Sequence, residues 1–252
     1  MSDSPQSPDG RLITIIATYN EKGNLPDLVD QLQRLIPQIQ ILVIDDNSPD
    51  GTGAWCRQRA AQDSTFQCIH RSGKLGLGSA TIEGFRFALE QGYDLIATMD
   101  ADFSHAPESL SAMVDVMRAD TNHDIGVAIG SRYIAGGAIE GWPLLRHLSS
   151  RLVNGFARFF LRLPTRDNSG AFRVYRRAAL QEIEIESIQA QGYAYLEEIL
   201  WRLHRRDVKM LEIPITFTDR TIGTSKTSLS MGLQVFWHLL KIATGAINDG
   251  GD

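Results

Sequence analysis

The chain has 252 residues and a formal net charge of −5, and 43% of its residues are hydrophobic. This length suits one large domain or two small ones with a substantial core. The acidic balance argues against a nucleic-acid partner, because such proteins gain affinity by neutralising phosphates with Lys and Arg. The two cysteines, Cys56 and Cys68, are too few for a disulfide framework or a zinc cluster and are typical of a reducing compartment.

The first ten residues, MSDSPQSPDG, are polar and contain no apolar segment. A signal peptide needs such a segment, so we predict a disordered tail over residues 1–10. No run of eighteen uninterrupted apolar residues occurs in the chain. A membrane-spanning helix is therefore not predicted.

The first half of the chain alternates apolar, β-branched runs with segments of helical periodicity. Strands are predicted over residues 12–18, 41–46, 66–70, 94–99 and 125–133, and a last strand over 211–217. Helices are predicted from Asn24, over about 53–62 and 79–91, and from Pro107. This alternation indicates an α/β fold: a Rossmann-like, mainly parallel sheet flanked by helices, which binds ligands beyond the carboxyl ends of its strands.

Two polar clusters that follow strands have the composition of ligand-binding loops. GKLGLGSA (73–80) opens a helix but fits neither common phosphate loop: the dinucleotide motif needs a third glycine where Thr81 stands, and the Walker motif needs Ser or Thr where Leu75 follows Lys74. It predicts no Rossmann cofactor, although Lys74 is a candidate to meet an anion. In IDDNSPDG (44–51), Asp45 and Asp46 either cap a turn and face solvent, or accept hydrogen bonds from a base or ribose.

DADFSH (100–105) follows the fourth strand. Such residues are common in turns. However, Asp100 and Asp102 are two apart, so in extended geometry their carboxylates point to the same side. Such a pair favours a divalent cation, Mg²⁺ or Mn²⁺, whose remaining ligands come from a substrate diphosphate and water. His105 is interpreted as structural rather than as a ligand.

Residues 141–180 hold eight arginines and a single acid, Asp167, in a chain that is acidic as a whole. Over 143–163, apolar side chains recur every three or four residues while Arg151, Arg158 and Arg162 gather on another side. Taken alone, this pattern favours an ordinary helix packed on the sheet. The density of arginines in an acidic chain, together with the family resemblance given below, instead favours an interfacial amphipathic helix. A second apolar stretch, 228–247, is also predicted to be interfacial.

Seven motifs in chain order resemble those of the family-2 inverting glycosyltransferases of the GT-A fold, and among them the polyprenol-phosphate (dolichol-phosphate) mannose synthases. The motifs are ATYNE (17–21), IDDNSPDGT (44–52), GKLGLGSA (73–80), DADFSH (100–105), GSRY (130–133), DNSGAFRVYRR (167–177) and DRTIGTSK (219–226). The resemblance covers residues 12 to about 240. It implies a GT-A domain over 11–227, followed by a C-terminal amphipathic helix and tail over 228–252.

The resemblance also implies roles for individual residues. The residues expected to contact the donor, GDP-mannose, are Ala17, Tyr19, Glu21, Ile44, Asp46, Asp100, Ala101, Asp102, Arg220 and Lys226. Asp100 and Asp102 are expected to hold the cation, and Ser104, which stands where some relatives supply a glutamine ligand, is expected to be a weaker or water-mediated ligand. Arg132, Arg146 and Ser150 are expected to meet the acceptor phosphate, and Asp100, Asp102 and Arg132 to be catalytic. Glu198 lies near the position of a base in other family-2 enzymes and is expected to have a supporting role.

The implied reaction transfers mannose with inversion from GDP-mannose to a polyprenyl (dolichyl-type) monophosphate. Such a phosphate is largely dianionic near neutral pH because its second pKa is about 6. It therefore needs cationic groups more than a strong base. The lipid acceptor implies peripheral association with the cytoplasmic face of a membrane. The resemblance also allows for a membrane helper subunit as a partner. Two alternatives stay open: a polyprenyl-phosphate glucose synthase that uses UDP-glucose, and a catalytically silent sugar-nucleotide-binding or scaffold protein.

Overall fold

The computed structural model describes residues 10–188, 190, 192–219 and 229–247, with the backbone alone for 229–234. The predicted N-terminal tail, apart from Gly10, and the predicted donor contacts Arg220 and Lys226 lie outside these residues.

The first half of the described chain consists of strands that alternate with helices, as predicted. Its elements are β1 (Leu12–Thr18), α1 (Leu25–Leu35), β2 (Gln40–Asp45), α2 (Thr52–Gln62), β3 (Phe66–His70), α3 (Leu77–Glu90), β4 (Leu95–Met99), α4 (Pro107–Ala119) and β5 (Ile125–Ser131). The second half contains β6 (Ala138–Glu140), α5 (Leu144–Phe160), β7 (Arg173–Arg176), α6 (Arg177–Gln181), α7 (Tyr195–Arg205), β8 (Lys209–Pro214), β9 (Thr216–Thr218) and α8 (Leu229–Ala243).

Seven strands form one sheet in the order β3-β2-β1-β4-β7-β5-β8. β7 runs antiparallel to both of its neighbours, and the other pairs are parallel. The structure thus confirms the predicted mainly parallel α/β sheet. Because β1, β2 and β4 are parallel, their carboxyl ends lie at the same edge, and the polar segments that follow them meet there.

Both faces of the sheet are covered, as the continuous apolar runs require. Side chains alternate along β1: Ile13 and Ile15 pack in the core beneath α3, whereas Ile16 packs on the opposite face with α1 and α4. Helix α3 approaches closely because Gly84 has no side chain; a Cβ there would lie 2.5 Å from Cγ2 of Ile15.

The predicted last strand, 211–217, is two strands in different sheets. β8 ends at Pro214, and β9 leaves the main sheet to pair in parallel with β6. Phe217 of β9 also forms an isolated bridge with His105. The three residues of β9 therefore lie between the DADFSH segment and the strand that leads into α5.

The two helices predicted to be interfacial pack against each other and partly into the core. α5 ends at Phe160, three residues before the predicted end, and Leu163 is buried beyond it. Phe156 of α5 contacts Phe236 of α8, whose Leu239 belongs to the same core as Ile13. Among the described residues no helix is both long and apolar enough to cross a bilayer.

Candidate active site

A cleft of about 340 Å³ opens at the carboxyl ends of β1, β2 and β4. Seven of the predicted donor contacts line it: Ala17, Tyr19, Glu21, Asp46, Asp100, Ala101 and Asp102. Ile44 does not line it, because its side chain points into the core, where it is fully buried. The structure thus brings together three segments, 17–21, Asp46 and 100–102, of which the first and last are about 80 residues apart in the sequence.

The DADFSH segment forms a tight turn rather than a continuation of the strand. β4 ends at Met99, and Phe103 adopts a left-handed backbone with φ of 60°. Asp100 and Asp102 face the same cleft, but the turn places them there, not the extended geometry predicted from their spacing. The Asp100 side chain is 35% exposed, whereas Asp102 is 6% exposed.

Ser104 is buried and serves as a hydrogen-bond partner of Asp102. Its hydroxyl and its backbone N–H both donate to Oδ1 of Asp102, at 2.5 and 3.1 Å. Ser104 does not line the cleft. The contacts therefore favour a role in orienting Asp102 over the weaker or water-mediated metal contact expected from the resemblance.

His105 packs in an aromatic environment behind the turn. Its ring stacks on Phe172 with centroids 4.6 Å apart and meets Phe217 edge-on at 5.3 Å. Burial, with the nearby Arg132 cation, lowers the pKa of His105 to about 4. The imidazole is therefore neutral at pH 7 and contributes packing.

Asp46 holds the glycine-rich segment against the end of β2. Its two carboxylate oxygens accept hydrogen bonds from Nε of Arg71 at 2.5 Å and from the backbone N–H of Gly76 at 2.8 Å. Gly76 has φ of 96° and precedes α3. Asp46 thus lines the cleft as part of a buried ion pair that shapes the loop, and Arg71 is a site residue that the sequence reasoning missed.

Lys74 of the same loop lies at the cleft and supplies a cation there. Its Nζ lies 4.3 Å from the ring centroid of Tyr19. Gly192 and Tyr193, shortly before α7, also line the cleft and were not predicted. Their signal in the sequence is weak: a single glycine shortly before a helix.

Arg132 is buried in a bidentate ion pair. Its Nε and Nη2 donate to the two carboxylate oxygens of Asp167 at 2.7 and 2.6 Å, and its backbone N–H donates to Oδ2 of the same residue at 2.9 Å. Although burial opposes the charged form, Asp167 outweighs burial and raises the pKa of Arg132. Arg132 was predicted to contact the acceptor phosphate. Most of its hydrogen-bond donors are, however, already bonded to Asp167 and Ser169.

Arg146 and Ser150 lie one turn apart on α5, as predicted, and each has a partner from outside the helix. Nη1 of Arg146 donates to Oδ1 of Asp219 at 2.9 Å. The hydroxyl of Ser150 accepts a hydrogen bond from Tyr133 at 2.8 Å. The predicted acceptor residues therefore lie close to the end of β5, where Tyr133 follows Arg132.

Trp142 contacts both predicted acceptor arginines. Its ring centroid lies 4.1 Å from Cζ of Arg146 and 5.3 Å from Cζ of Arg132. The ring also packs edge-on against Phe217. Asp100 lies close enough to contribute to the raised pKa of Arg132. The DADFSH segment and the two arginines are thus neighbours at one edge of the sheet.

Glu198, the expected supporting residue, belongs to a buried network away from the cleft. Oε1 accepts from Arg202 at 2.7 and 3.0 Å, and Oε2 accepts from the backbone of Ala190 and lies 2.8 Å from Nε2 of His238. Burial raises the pKa of Glu198, but the hydrogen bonds from His238 and Arg202 outweigh burial and lower it. The carboxylate joins α7 to α8.

Comparisons with known proteins identify the family of this chain. The family model described as Glycosyl transferase family 2 matches residues 13–184. The polyprenol monophosphomannose synthase of Mycolicibacterium smegmatis is 41% identical over 241 residues, which cover 95% of this chain and 88% of that protein. The undecaprenyl-phosphate mannosyltransferase of Micrococcus luteus is 40% identical over 218 residues, which cover 86% and 88%.

Two solved structures share the fold at low sequence identity. The glucosyl-3-phosphoglycerate synthase of Mycobacterium tuberculosis, in complex with uridine diphosphate, has a TM-score of 0.67 and 17% identity and covers 96% of this chain and 82% of its own. A mannosyltransferase of Pyrobaculum calidifontis, in complex with GDP-Man and Mn²⁺, has a TM-score of 0.60 and 16% identity, with coverages of 99% and 68%. The predicted GT-A fold is confirmed, and this chain belongs to glycosyl transferase family 2.

Proposed function

We propose that this glycosyltransferase moves mannose from GDP-mannose to a polyprenyl monophosphate. The observation that carries the proposal is the pair of carboxylates, Asp100 and Asp102, in a cleft next to Arg132 and Arg146. This arrangement suits two anionic reactants, a diphosphate and a phosphate monoester. The names of the two relatives that are 41% and 40% identical support mannose as the sugar and a polyprenyl phosphate as the acceptor.

The donor set at the cleft fits a hard divalent cation, Mg²⁺ or Mn²⁺. No group of three or more His, Cys, Asp or Glu side chains able to hold a metal occurs within the described part of the chain. Two carboxylates are nevertheless enough for such an ion when substrate phosphates and water complete its shell. We propose Asp100 and Asp102 as the ligands, with Ser104 orienting Asp102. When bound, the cation neutralises charge on the diphosphate leaving group.

The remaining donor contacts would be made by the walls of the cleft. Tyr19 and Glu21 are proposed to surround the nucleoside, and Lys74 to approach the diphosphate. Arg220 and Lys226 are proposed to contact the diphosphate on the resemblance alone, since they lie outside the described residues. The mannosyltransferase of Pyrobaculum calidifontis, whose structure contains GDP-Man and Mn²⁺, supports GDP-mannose as the donor.

In the proposed reaction the acceptor is its own nucleophile. A phosphate oxygen forms the new bond to C1 of mannose as the bond from C1 to the diphosphate oxygen breaks, so the configuration at C1 inverts and GDP leaves. No proton has to be removed, because the acceptor oxygen already carries negative charge at neutral pH. Arg146, with Arg132 behind it, is proposed to hold this phosphate near the donor.

We also propose that α5 and α8 place the site at a membrane surface. Leu152 and Phe159 on α5 are 65% and 77% exposed, and Trp237 on α8 is 59% exposed. Side chains of this kind bury favourably at a lipid interface, and the arginines of α5 suit anionic head groups. A location at the cytoplasmic face and a membrane helper subunit remain part of the proposal on the resemblance alone.

A parallel donor assay tests the proposal. The purified protein is incubated with Mn²⁺, a polyprenyl phosphate and either radiolabelled GDP-mannose or radiolabelled UDP-glucose, and label in the lipid phase is counted. The proposal predicts transfer from GDP-mannose. Transfer from UDP-glucose alone would reject the mannose assignment and favour a polyprenyl-phosphate glucose synthase.

A further inference from the structure

Arg146 is already bound by a carboxylate of this chain. Asp219 follows β9 directly, and its Oδ1 accepts the hydrogen bond from Nη1 of Arg146 at 2.9 Å. The backbone N–H of Asp219 donates to the carbonyl of Glu140 at 2.9 Å, so β6 fixes the position of Asp219. The fit is close: a Cβ on Gly141 would lie 3.0 Å from Cβ of Asp219. The carboxylate therefore sits where an anion bound to Arg146 would sit.

The two arginine pairs at this site differ in burial, and burial decides whether a ligand can replace the carboxylate. Asp167 is completely buried against Arg132, so that pair is a permanent part of the fold. The side chains of Arg146 and Asp219 are 23% and 26% exposed. Partly exposed ion pairs contribute little free energy, whereas a phosphate dianion makes stronger charge-assisted hydrogen bonds. An incoming phosphate can therefore displace Asp219 while Trp142 keeps the guanidinium in place.

We propose that Asp219 is an internal occupant of the acceptor-phosphate site, which holds Arg146 until a phosphate monoester displaces it. The inference rests on the proposed function in assigning Arg146 to the acceptor. Apparent affinity falls in proportion to the fraction of molecules whose Arg146 is available. Asp219 therefore weakens every anion that competes for Arg146 by the same factor. The ratio of two affinities is unchanged, but the occupancy by a weakly binding anion falls by up to the same factor, whereas an acceptor present well above its dissociation constant still fills the site.

The test compares phosphate binding to wild type and D219N by titration calorimetry. The probes are a water-soluble short-chain polyprenyl monophosphate and inorganic phosphate. D219N is expected to lower both dissociation constants by the same factor, about two- to fivefold, because both ligands displace the same ion pair. D219E keeps the charge and is expected to bind like wild type. E140Q is the matched control, because it removes a neighbouring charge of the same small sheet without touching Arg146.

The double variant R146A/D219N separates competition for Arg146 from any other effect of Asp219. In the R146A background, D219N is expected to leave the dissociation constants of both probes unchanged. An unchanged or raised dissociation constant in D219N with Arg146 present would overturn it, as would equal gains in D219N and E140Q. Mannose transfer to the same monophosphate is measured in parallel. If transfer occurs without tighter binding in D219N, only this inference fails; if binding tightens but wild type transfers no mannose, only the proposed function fails.

Discussion

Ser104 and Asp102 are joined by two hydrogen bonds that converge on one carboxylate oxygen. The Ser104 hydroxyl and backbone N–H both donate to Oδ1 of Asp102, and both residues are buried. Ordinary turn residues thus hold a carboxylate at the cleft in one orientation. The turn that makes DADFSH look unremarkable as a sequence is the feature that orients the acid.

Asp102→Asn is expected to lower the transfer rate by at least about a hundredfold, because it removes a charge that the proposed cation requires. Mn²⁺-dependent binding of GDP should be lost with it. Initial rates and calorimetry measure the two effects. Asp115→Asn, on the exposed face of α4, is the matched control. Undiminished activity in Asp102→Asn would remove the carboxylate from the metal site.

Ser104→Ala is expected to lower the transfer rate about tenfold, a smaller effect than that of Asp102→Asn. A hydrogen bond to a charged group contributes about 1.5 kcal/mol, and the backbone N–H still contacts Asp102. Mn²⁺ titration of GDP binding should show a weaker but measurable site, since residues that orient ligands typically alter metal affinity 10- to 100-fold. Loss as complete as in Asp102→Asn would instead indicate that Ser104 is itself a ligand.

Asp167→Asn is expected to destabilise the protein by about 3–5 kcal/mol, because it leaves the buried Arg132 without its compensating charge. Urea denaturation monitored by circular dichroism measures the free energy of unfolding. Asp30→Asn offers a comparison, since it breaks the exposed ion pair with Arg59 and should cost no more than about 1 kcal/mol. Equal losses in the two variants would contradict the structural role of the Arg132 pair.

Glu197 is expected to make the protein less stable as the pH rises. Burial raises the pKa of Glu197 from an ordinary value of 4.5 to about 8, and its Oε2 has no hydrogen-bond partner within the described chain. Between these pH values the folded state keeps a proton that the unfolded state has lost. The contribution of Glu197 to stability is therefore greatest below pH 4.5. Between pH 4.5 and about pH 8 the free energy of unfolding falls by roughly 1.4 kcal/mol per pH unit.

Urea denaturation of wild type and Glu197→Gln at pH 6.5 and pH 8 isolates this effect. The neutral side chain of the variant removes the titration, so its stability should change less over this interval than that of wild type. His105, whose pKa falls from an ordinary 6.5 to about 4 on folding, contributes equally to wild type and to Glu197→Gln, so the difference between the two profiles reports on Glu197. Parallel pH profiles would show that Glu197 is not protonated in the folded protein.

Replacing Leu152 and Phe159 together by Glu is expected to reduce flotation with anionic vesicles at least tenfold. Burying each apolar side chain contributes about 1.5–3 kcal/mol, which the charged variant forfeits. Vesicles of phosphatidylglycerol and phosphatidylcholine serve as the probe. Leu35→Glu, at the exposed end of α1, is the control. Wild-type protein that ignores these vesicles would refute the proposed membrane surface.

The sequence was sufficient for the order of the elements in the first half of the chain and for the segments at the carboxyl ends of β1, β2 and β4. β1 and β4 are short apolar runs that end in polar turns, and both signals are local. The position of β7 was not predictable in the same way. RVYR is only four residues long, and its place between β4 and β5 depends on long-range pairing.

The sequence pattern also did not predict which side chains of the site are bonded to each other. Arg146 and Asp219 are 73 positions apart, and neither has a local feature that identifies the other. The same holds for Asp46 and Arg71. Asp46 was expected to contact the nucleoside, and the structure shows that it also holds the glycine-rich loop through Arg71 and Gly76. The resemblance to the family predicted most of the residues that reach the cleft, but not which of them already have partners.

The most direct test of the central claim is the structure of the lipid product. Wild-type protein is incubated with Mn²⁺, GDP-mannose and a polyprenyl monophosphate, and the lipid is analysed by mass spectrometry and NMR while released GDP is quantified. The proposed reaction predicts β-linked polyprenyl phosphate mannose and GDP in equal amounts. An α-linked product, or GDP and free mannose without any mannolipid, would contradict it.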